Sequence, residues 1–256
     1  MVASYVLEVA NATDLQKLWD RHVEEMATYG IDRMIYGNTR FRTSKSVGDV
    51  DDFLILSSHD PAYTELFFGR QYYLNAPMVN WSLENHGPVS WRQVHEDYAK
   101  GKLPEKQREV YEFNLKHGIK AGYSISFIPT STRQGAAMGL VAKDTGLSQE
   151  DLDEVWKEHG TDIVAKCHVL HLKILTLPYN RIQRALTQRQ REVLEWVGEG
   201  KTIQDISVIM DLKPATVEKH LRLAREALNV ETTAQAILKA SVQNQIFVLE
   251  MPSDAR

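Results

Sequence analysis

Near the C-terminus the chain packs several short helical segments so closely that no strand fits between them. Apolar residues recur at helical spacing over Gln188–Glu199, Ile203–Met210, Pro214–Leu228 and Thr233–Gln243. Thr187 and Thr202 stand where side-chain caps belong, and Gly200 stops the first segment. Asp211-Leu-Lys joins the second segment to the third, and Pro214 occupies a first turn, where its missing N–H costs nothing. Two short helices joined by so tight a turn predict a helix–turn–helix. A helix offered on such a platform fits the DNA major groove with its N-terminal residues toward the bases.

The 256 residues leave room for a second, larger domain ahead of this one. Its first helix is predicted over Ala12–Thr28, with Asn11 or Thr13 as cap and Gly30 just past its end. Strands are predicted at Arg33–Asn38 and Asp52–Ser57. Short proline-opened helices follow at Pro61–Arg70 and Pro77–Asn85, and a longer one spans Pro104–Lys116. Tyr123–Phe127 alternates with period two, and Ala136–Lys143 is a small-residue apolar run. A long helix opens at Ser148, with Leu152, Trp156, Ile163, Cys167, Leu170 and Ile174 on one stripe. Helices bracketing a small sheet predict an α/β sandwich. Pro178 ends the long helix, so the expected organisation is a domain over 1–175, a linker over 176–184 and a small all-α domain over 185–256.

The stretch from Leu186-Thr-Gln-Arg-Gln through Ile203-Gln-Asp-Ile-Ser to Thr216-Val-Glu-Lys-His-Leu-Arg resembles the DNA-binding domain of LuxR/GerE-type regulators. The resemblance makes Pro214–Leu228 the recognition helix and Thr233–Ala240 the start of a helix that pairs with a two-fold mate. Gln190 departs from the glutamate usual in that family. A homodimer follows physically as well, because two half-sites add their free energies.

Charge looks contrary at first, since the whole chain has 30 Lys+Arg against 34 Asp+Glu. Residues 181–256 hold 11 Lys+Arg and 10 Asp+Glu, and the rest of the chain 19 and 24. The small domain is therefore slightly positive and the large one negative. Candidate DNA contacts are Lys213, Thr216, Lys219, His220 and Arg222, the longer basic chains on phosphates and one or two on base edges.

With the second domain placed, the first half resembles the family's autoinducer-binding domain, which implies an antiparallel sheet inside an α-β-α sandwich. Tyr63-x-x-x-Phe67 stands where the family has Trp-x-x-x-Tyr, Asn75-Ala-Pro-Met-Val where it has Leu-Asp-Pro-Val, and Trp91 and Gly118…Gly122 keep their places. The resemblance implies an acyl-homoserine lactone held by the Trp indole, the Tyr hydroxyl and the Asp carboxylate. Here those positions carry Tyr63, Phe67 and Ala76. A buried amide left without its partner costs about 1–3 kcal/mol. Three outcomes stay open: a lactone held by substitutes such as His59, Asn75, Ser124 or Ser126; a different, more apolar ligand; or a cavity filled by its own side chains.

The single cysteine, Cys167, excludes an intrachain disulfide. The start of the chain lacks signal-peptide character, and no apolar run reaches the ~18 residues of a membrane span. A cytoplasmic chain without membrane contact is expected. His159, Cys167, His168 and His171 share one helix at spacings that suit metal pairs, but the apolar stripe favours packing, so no metal or cofactor is expected beyond the small-molecule signal. His95-Glu96-Asp97 reads as a helix start or a solvated turn. Nucleophile-elbow, dinucleotide, Walker and zincin motifs are absent, so no enzyme is expected. The leading expectation is a dimeric, small-molecule-responsive transcriptional regulator. The alternatives are a ligand-independent or non-lactone solo regulator, a sequestering heterodimeriser, and a phosphorylation-controlled response regulator.

Overall fold

The computed structural model describes residues 2–40, 53–129, 131–142, 146–177 and 185–247. The chain divides into two compact units, Met1–Lys173 and Ile174–Arg256. No described helix is long and apolar enough to cross a membrane.

The first unit is built on a five-stranded antiparallel sheet in the order β2-β1-β5-β4-β3. Its strands are β1 (Ile31–Thr39), β2 (Leu54–Ser57), β3 (Gly87–Ser90), β4 (Gly122–Phe127) and β5 (Gly135–Ala142). Pairing places Tyr36 opposite Met138 and Ile125 opposite the same residue, so these large side chains share one face. The other face carries Ile35, Gly139 and Ser124 abreast. Alternation along each strand thus gives one crowded face and one of small residues.

Helices α2 (Leu15–Ala27) and α7 (Gln149–Ile174) cover the crowded face. Tyr36 Oη pairs with His171 Nδ1 at 2.9 Å, Phe127 stacks on the His171 ring, and Tyr123 stacks flat on Trp156 at 3.8 Å. α1 (Val2–Asn11) braces this layer. Its Tyr5 hydroxyl pairs with His22 Nδ1, while His22 Nε2 faces Cys167 Sγ at 3.8 Å. Lys166, almost fully buried, bonds Glu25 and the Tyr29 hydroxyl. The opposite face is roofed by α3 (Pro61–Gly69), α4 (Pro77–Glu84), α5 (Arg92–Ala99) and α6 (Glu105–Lys116), with a 3-10 turn at Tyr72–Leu74 between α3 and α4.

Several local expectations need correction. A further helix, α1, precedes the first predicted one. The predicted one, α2, is capped by Asp14, whose carboxylate accepts from Lys17 N, rather than by Asn11 or Thr13. β3 and α5 were invisible to periodicity. β3 is a four-residue edge strand containing Pro88, and His95-Glu96-Asp97 lies inside α5 instead of starting it. Asp52, Lys143 and the linker from residue 178 onward lie outside the described residues. Among the described residues no group of three metal-ligating side chains forms.

The second unit packs α8 (Gln188–Gly198), α9 (Ile203–Ile209), α10 (Pro214–Leu228) and α11 (Thr233–Val242) around Val193, Leu194, Ile206, Val217, Leu221 and Ala236. Three capping boxes start α8, α9 and α11, pairing Thr187 with Gln190, Thr202 with Asp205 and Thr232 with Gln235. Gln190 thus closes its box with a neutral amide, its Oε1 accepting from Thr187 N at 2.9 Å.

Burial holds three imidazoles in the first unit below their ordinary 6.5: His22 at about 3, His59 at about 4 and His171 at about 4. The unfolded chain therefore takes up these protons first, and stability falls as pH drops through 6.5 toward 4. Between pH 7 and pH 5 each buried imidazole should cost on the order of 1–2 kcal/mol. Melting temperatures measured across this range should fall steadily, and a flat profile would contradict neutral, buried imidazoles.

Candidate ligand cavity and nucleic-acid interface

Between the small-residue face of the sheet and the roof helices lies a cavity of about 210 Å³. His59, Tyr63, Phe67, Ala76, Trp91 and Ser124 all line it. Asn75 and Ser126, the other candidates, do not. Asn75 ends the 3-10 turn through its backbone N–H to Tyr72 O, and Ser126 Oγ donates to Ser82 O at 2.9 Å, tying β4 to α4. Both are polar and close to the site in sequence, but Ser126 is engaged by local structure and Asn75 stands outside the lining.

The remaining polar groups are largely paired among themselves. Tyr63 Oη donates to Asn114 Oδ1 at 3.0 Å, and Tyr63 stacks on Phe67 and Phe113. Burial raises the Tyr63 hydroxyl far above its ordinary range, so it stays a donor. Trp91 Nε1 donates to Ser124 Oγ at 2.9 Å. The Tyr111 hydroxyl pairs with His95 Nδ1 at 2.7 Å. His59 differs. Its ring lies 4.8 Å from that of Tyr63, only 7% of the residue is exposed, and its Nε2 has no hydrogen-bond partner among the described residues. Burial first, and the Arg33 guanidinium second, hold it at about 4, so it is neutral at pH 7.

Asn114 and Tyr111 escaped the sequence reading. A signal for Asn114 existed, since it stands four residues after Val110 on the stripe of α6 that also carries Phe113. Ala76 lies at the N-cap of α4 and brings no polar side chain to the cavity.

Trp91 can sit where it does because Gly122 has no side chain. A Cβ there would lie 2.5 Å from Leu140 O and 2.6 Å from the indole. The same residue binds three elements: its N–H donates to Gln149 Oε1, and its carbonyl accepts from Trp91 N. Gln149 Nε2 continues to Ser90 Oγ and to Asp153 Oδ1. Asp153 also accepts from Tyr123, Arg92 and Ser90. Burial pushes the Asp153 carboxyl upward, but these hydrogen bonds outweigh it and hold the group below the usual carboxylate range.

In the second unit, Val217, Leu221, Ala224 and Leu228 bury one side of α10. Lys219 and Arg222 lie exposed on the opposite side, and Lys213 is exposed at the N-cap. Thr216 and His220 are half-buried on the flank. Arg222 Nη1 holds Glu226 Oε1 at 2.5 Å, an exposed pair of the kind that dissociates at little cost. Arg225, by contrast, bonds Thr233 Oγ1 and ties α10 to α11. Asp211, at φ 52°, makes the left-handed step of the turn between α9 and α10, a conformation Asp adopts more readily than most residues.

Comparison with known proteins agrees with this geometry. Residues 14–174 match the model of the autoinducer binding domain, and residues 184–240 that of bacterial regulatory proteins of the luxR family. The transcriptional activator protein LuxR of Aliivibrio fischeri is 27% identical over 185 residues, covering 69% of this chain and 71% of that protein. The structure of SdiA in complex with octanoyl-rac-glycerol superposes with a TM-score of 0.54 at 13% identity, covering 94% of this chain and 93% of that one. CepR2 of Burkholderia cenocepacia, an N-acylhomoserine-lactone-dependent LuxR-family factor, gives 0.51 at 13% identity over 67% of this chain and 94% of its own.

Replacing Gly122 by Ala should force the indole off the strand. We expect the change to cost about 1–3 kcal/mol, read by denaturant unfolding, and to shift Trp fluorescence; unchanged stability and emission would contradict the close approach. By the match of both family models, each to its own part of the chain, the protein belongs to the LuxR family of DNA-binding transcriptional regulators, which are not enzymes and here join an autoinducer-binding domain to a helix–turn–helix.

Proposed function

We propose that the chain is a cytoplasmic homodimeric regulator whose DNA binding answers to a small, mostly apolar molecule held in the first unit. Residues 1–175 sense, 185–256 read DNA, and 176–184 join them. The observation that carries this reading is the aromatic cavity between the sheet and the roof helices. A ligand filling it completes the core and stabilises the folded protein in proportion to its occupancy. The two solved relatives name uncharged acylated molecules, octanoyl-rac-glycerol for SdiA and an N-acylhomoserine lactone for CepR2. That supports an amphiphile here too.

Lys213, Thr216, Lys219, His220 and Arg222 form the proposed DNA face. Lys219 and Arg222 are free of the core and reach furthest from it, so they position the helix on phosphates or reach base edges. Leu238, 62% exposed on α11, supports pairing of two copies through that helix.

The test uses the full chain and a duplex it selects from random sequence. Lys219→Ala and Arg222→Ala should each weaken binding and lower the slope of log affinity against log salt by about 0.9 for each phosphate that is no longer neutralised. Sedimentation should give a dimer for both variants. Unchanged DNA affinity in both variants would overturn the interface, and a monomer at binding concentrations would overturn the dimer.

A further inference from the structure

The described residues lining the cavity include no Asp, Glu, Lys or Arg. Bringing an ion into such a space leaves its charge without a counterpart, which is far costlier than burying a neutral polar group. An acylated amine has a related difficulty. It brings an N–H that needs an acceptor as well as its carbonyls, and Ala76 stands where the family's carboxylate would accept that N–H, so a single free imidazole nitrogen can serve only one of these groups. Other polar side chains are engaged, Tyr63 with Asn114, Trp91 with Ser124, and Tyr111 with His95; Asn38, whose Oδ1 is likewise unpartnered, alternates with Gly37 onto the crowded Tyr36 face of the sheet. His59 remains, buried, uncharged and with an unpartnered ring nitrogen.

Its place in the cavity fixes how a ligand lies. Ser57, Ile35, Gly139 and Ser124 stand abreast across β2, β1, β5 and β4. That row spans three strand spacings, roughly 14 Å. His59 follows Ser57 by two residues, so it marks one end of the span and the Trp91–Ser124 pair the other. Between them the floor is Ile35 and Gly139, with Gly37 and Ala137 paired two residues along the same strands. A Cβ added at Gly37 would meet nothing within 4 Å, so open space lies directly above that glycine. The volume of about 210 Å³ has room for a medium-length chain.

We propose that the cavity takes an uncharged amphiphile with a hydroxyl or ketone head hydrogen-bonded to His59 and an apolar body lying across β1 and β5 over Gly37 toward Trp91. A neutral imidazole has one N–H and one lone pair, so it serves a single head oxygen as donor or acceptor. This assignment rests on the reading that the cavity holds a signal, and it selects a head group within that reading.

Calorimetric titration of the full chain with 1-decanol, decanoate and N-octanoyl-homoserine lactone at pH 7 tests it. 1-Decanol should bind at least about tenfold tighter than either of the others. His59→Leu should weaken 1-decanol about tenfold, a factor matching one lost hydrogen bond, and His59→Gln should restore most of the loss. Gly37→Leu should abolish 1-decanol binding while leaving the melting temperature of the free protein near that of the parent. Preference for the lactone or for decanoate, or indifference of 1-decanol to both His59 variants, would overturn the head-group assignment and leave the sensing reading standing. No binding by any of the three probes would overturn both.

Discussion

The close approach of an indole to a strand at Gly122 organises the first unit. Backbone N–H and C=O at this one residue serve Gln149 and Trp91, so the sheet, the start of α5 and the start of α7 meet there. Each consequence follows from the missing Cβ. The indole reaches the sheet and its N–H finds Ser124. The cavity gains its end wall, and the Ser90–Gln149–Asp153–Arg92 network is drawn into register on the other side. That network joins opposite layers of the sandwich with charge-assisted bonds. A shift of Trp91 cannot stay local, because the groups it displaces are the ones that fix the first turns of α7.

Much of this was legible in the amino-acid order. The helix–turn–helix announced itself through Thr187, Thr202, Gly200 and Pro214, because capping and turn chemistry are local and leave local marks. Gly118 and Gly122 matched the family's paired glycines, but the close approach at Gly122 was not legible, because its partner Trp91 comes from a segment 31 residues earlier. β3 was illegible for a physical reason: an edge strand of four residues bonds on one side only, so it tolerates Pro88 and shows no alternation. α1 and α5 were missed because each buries so few side chains. In the site, resemblance to the family's autoinducer-binding domain located Tyr63, Phe67 and Trp91. Hydrogen-bond partners brought in from distant helices, such as Asn114, and the isolation of His59 depend on tertiary geometry that no spacing rule encodes.

The two units solve different problems with the same chain chemistry. The small one has few residues with which to make a core, and it secures its helices at their ends with reciprocal threonine boxes, so that α10 keeps one buried and one bare side. The larger one builds a cavity into its core. Its roof over the sheet is made of short helices, three of them opened by Pro61, Pro77 and Pro104.

Pro88 has a consequence beyond its own strand. Edge strands invite pairing with another chain, because they present a row of open backbone groups. Here one edge is the four-residue β2 and the other is β3, whose second residue has no N–H to give. Continuous extension of the sheet from one molecule to the next is thereby disfavoured at β3.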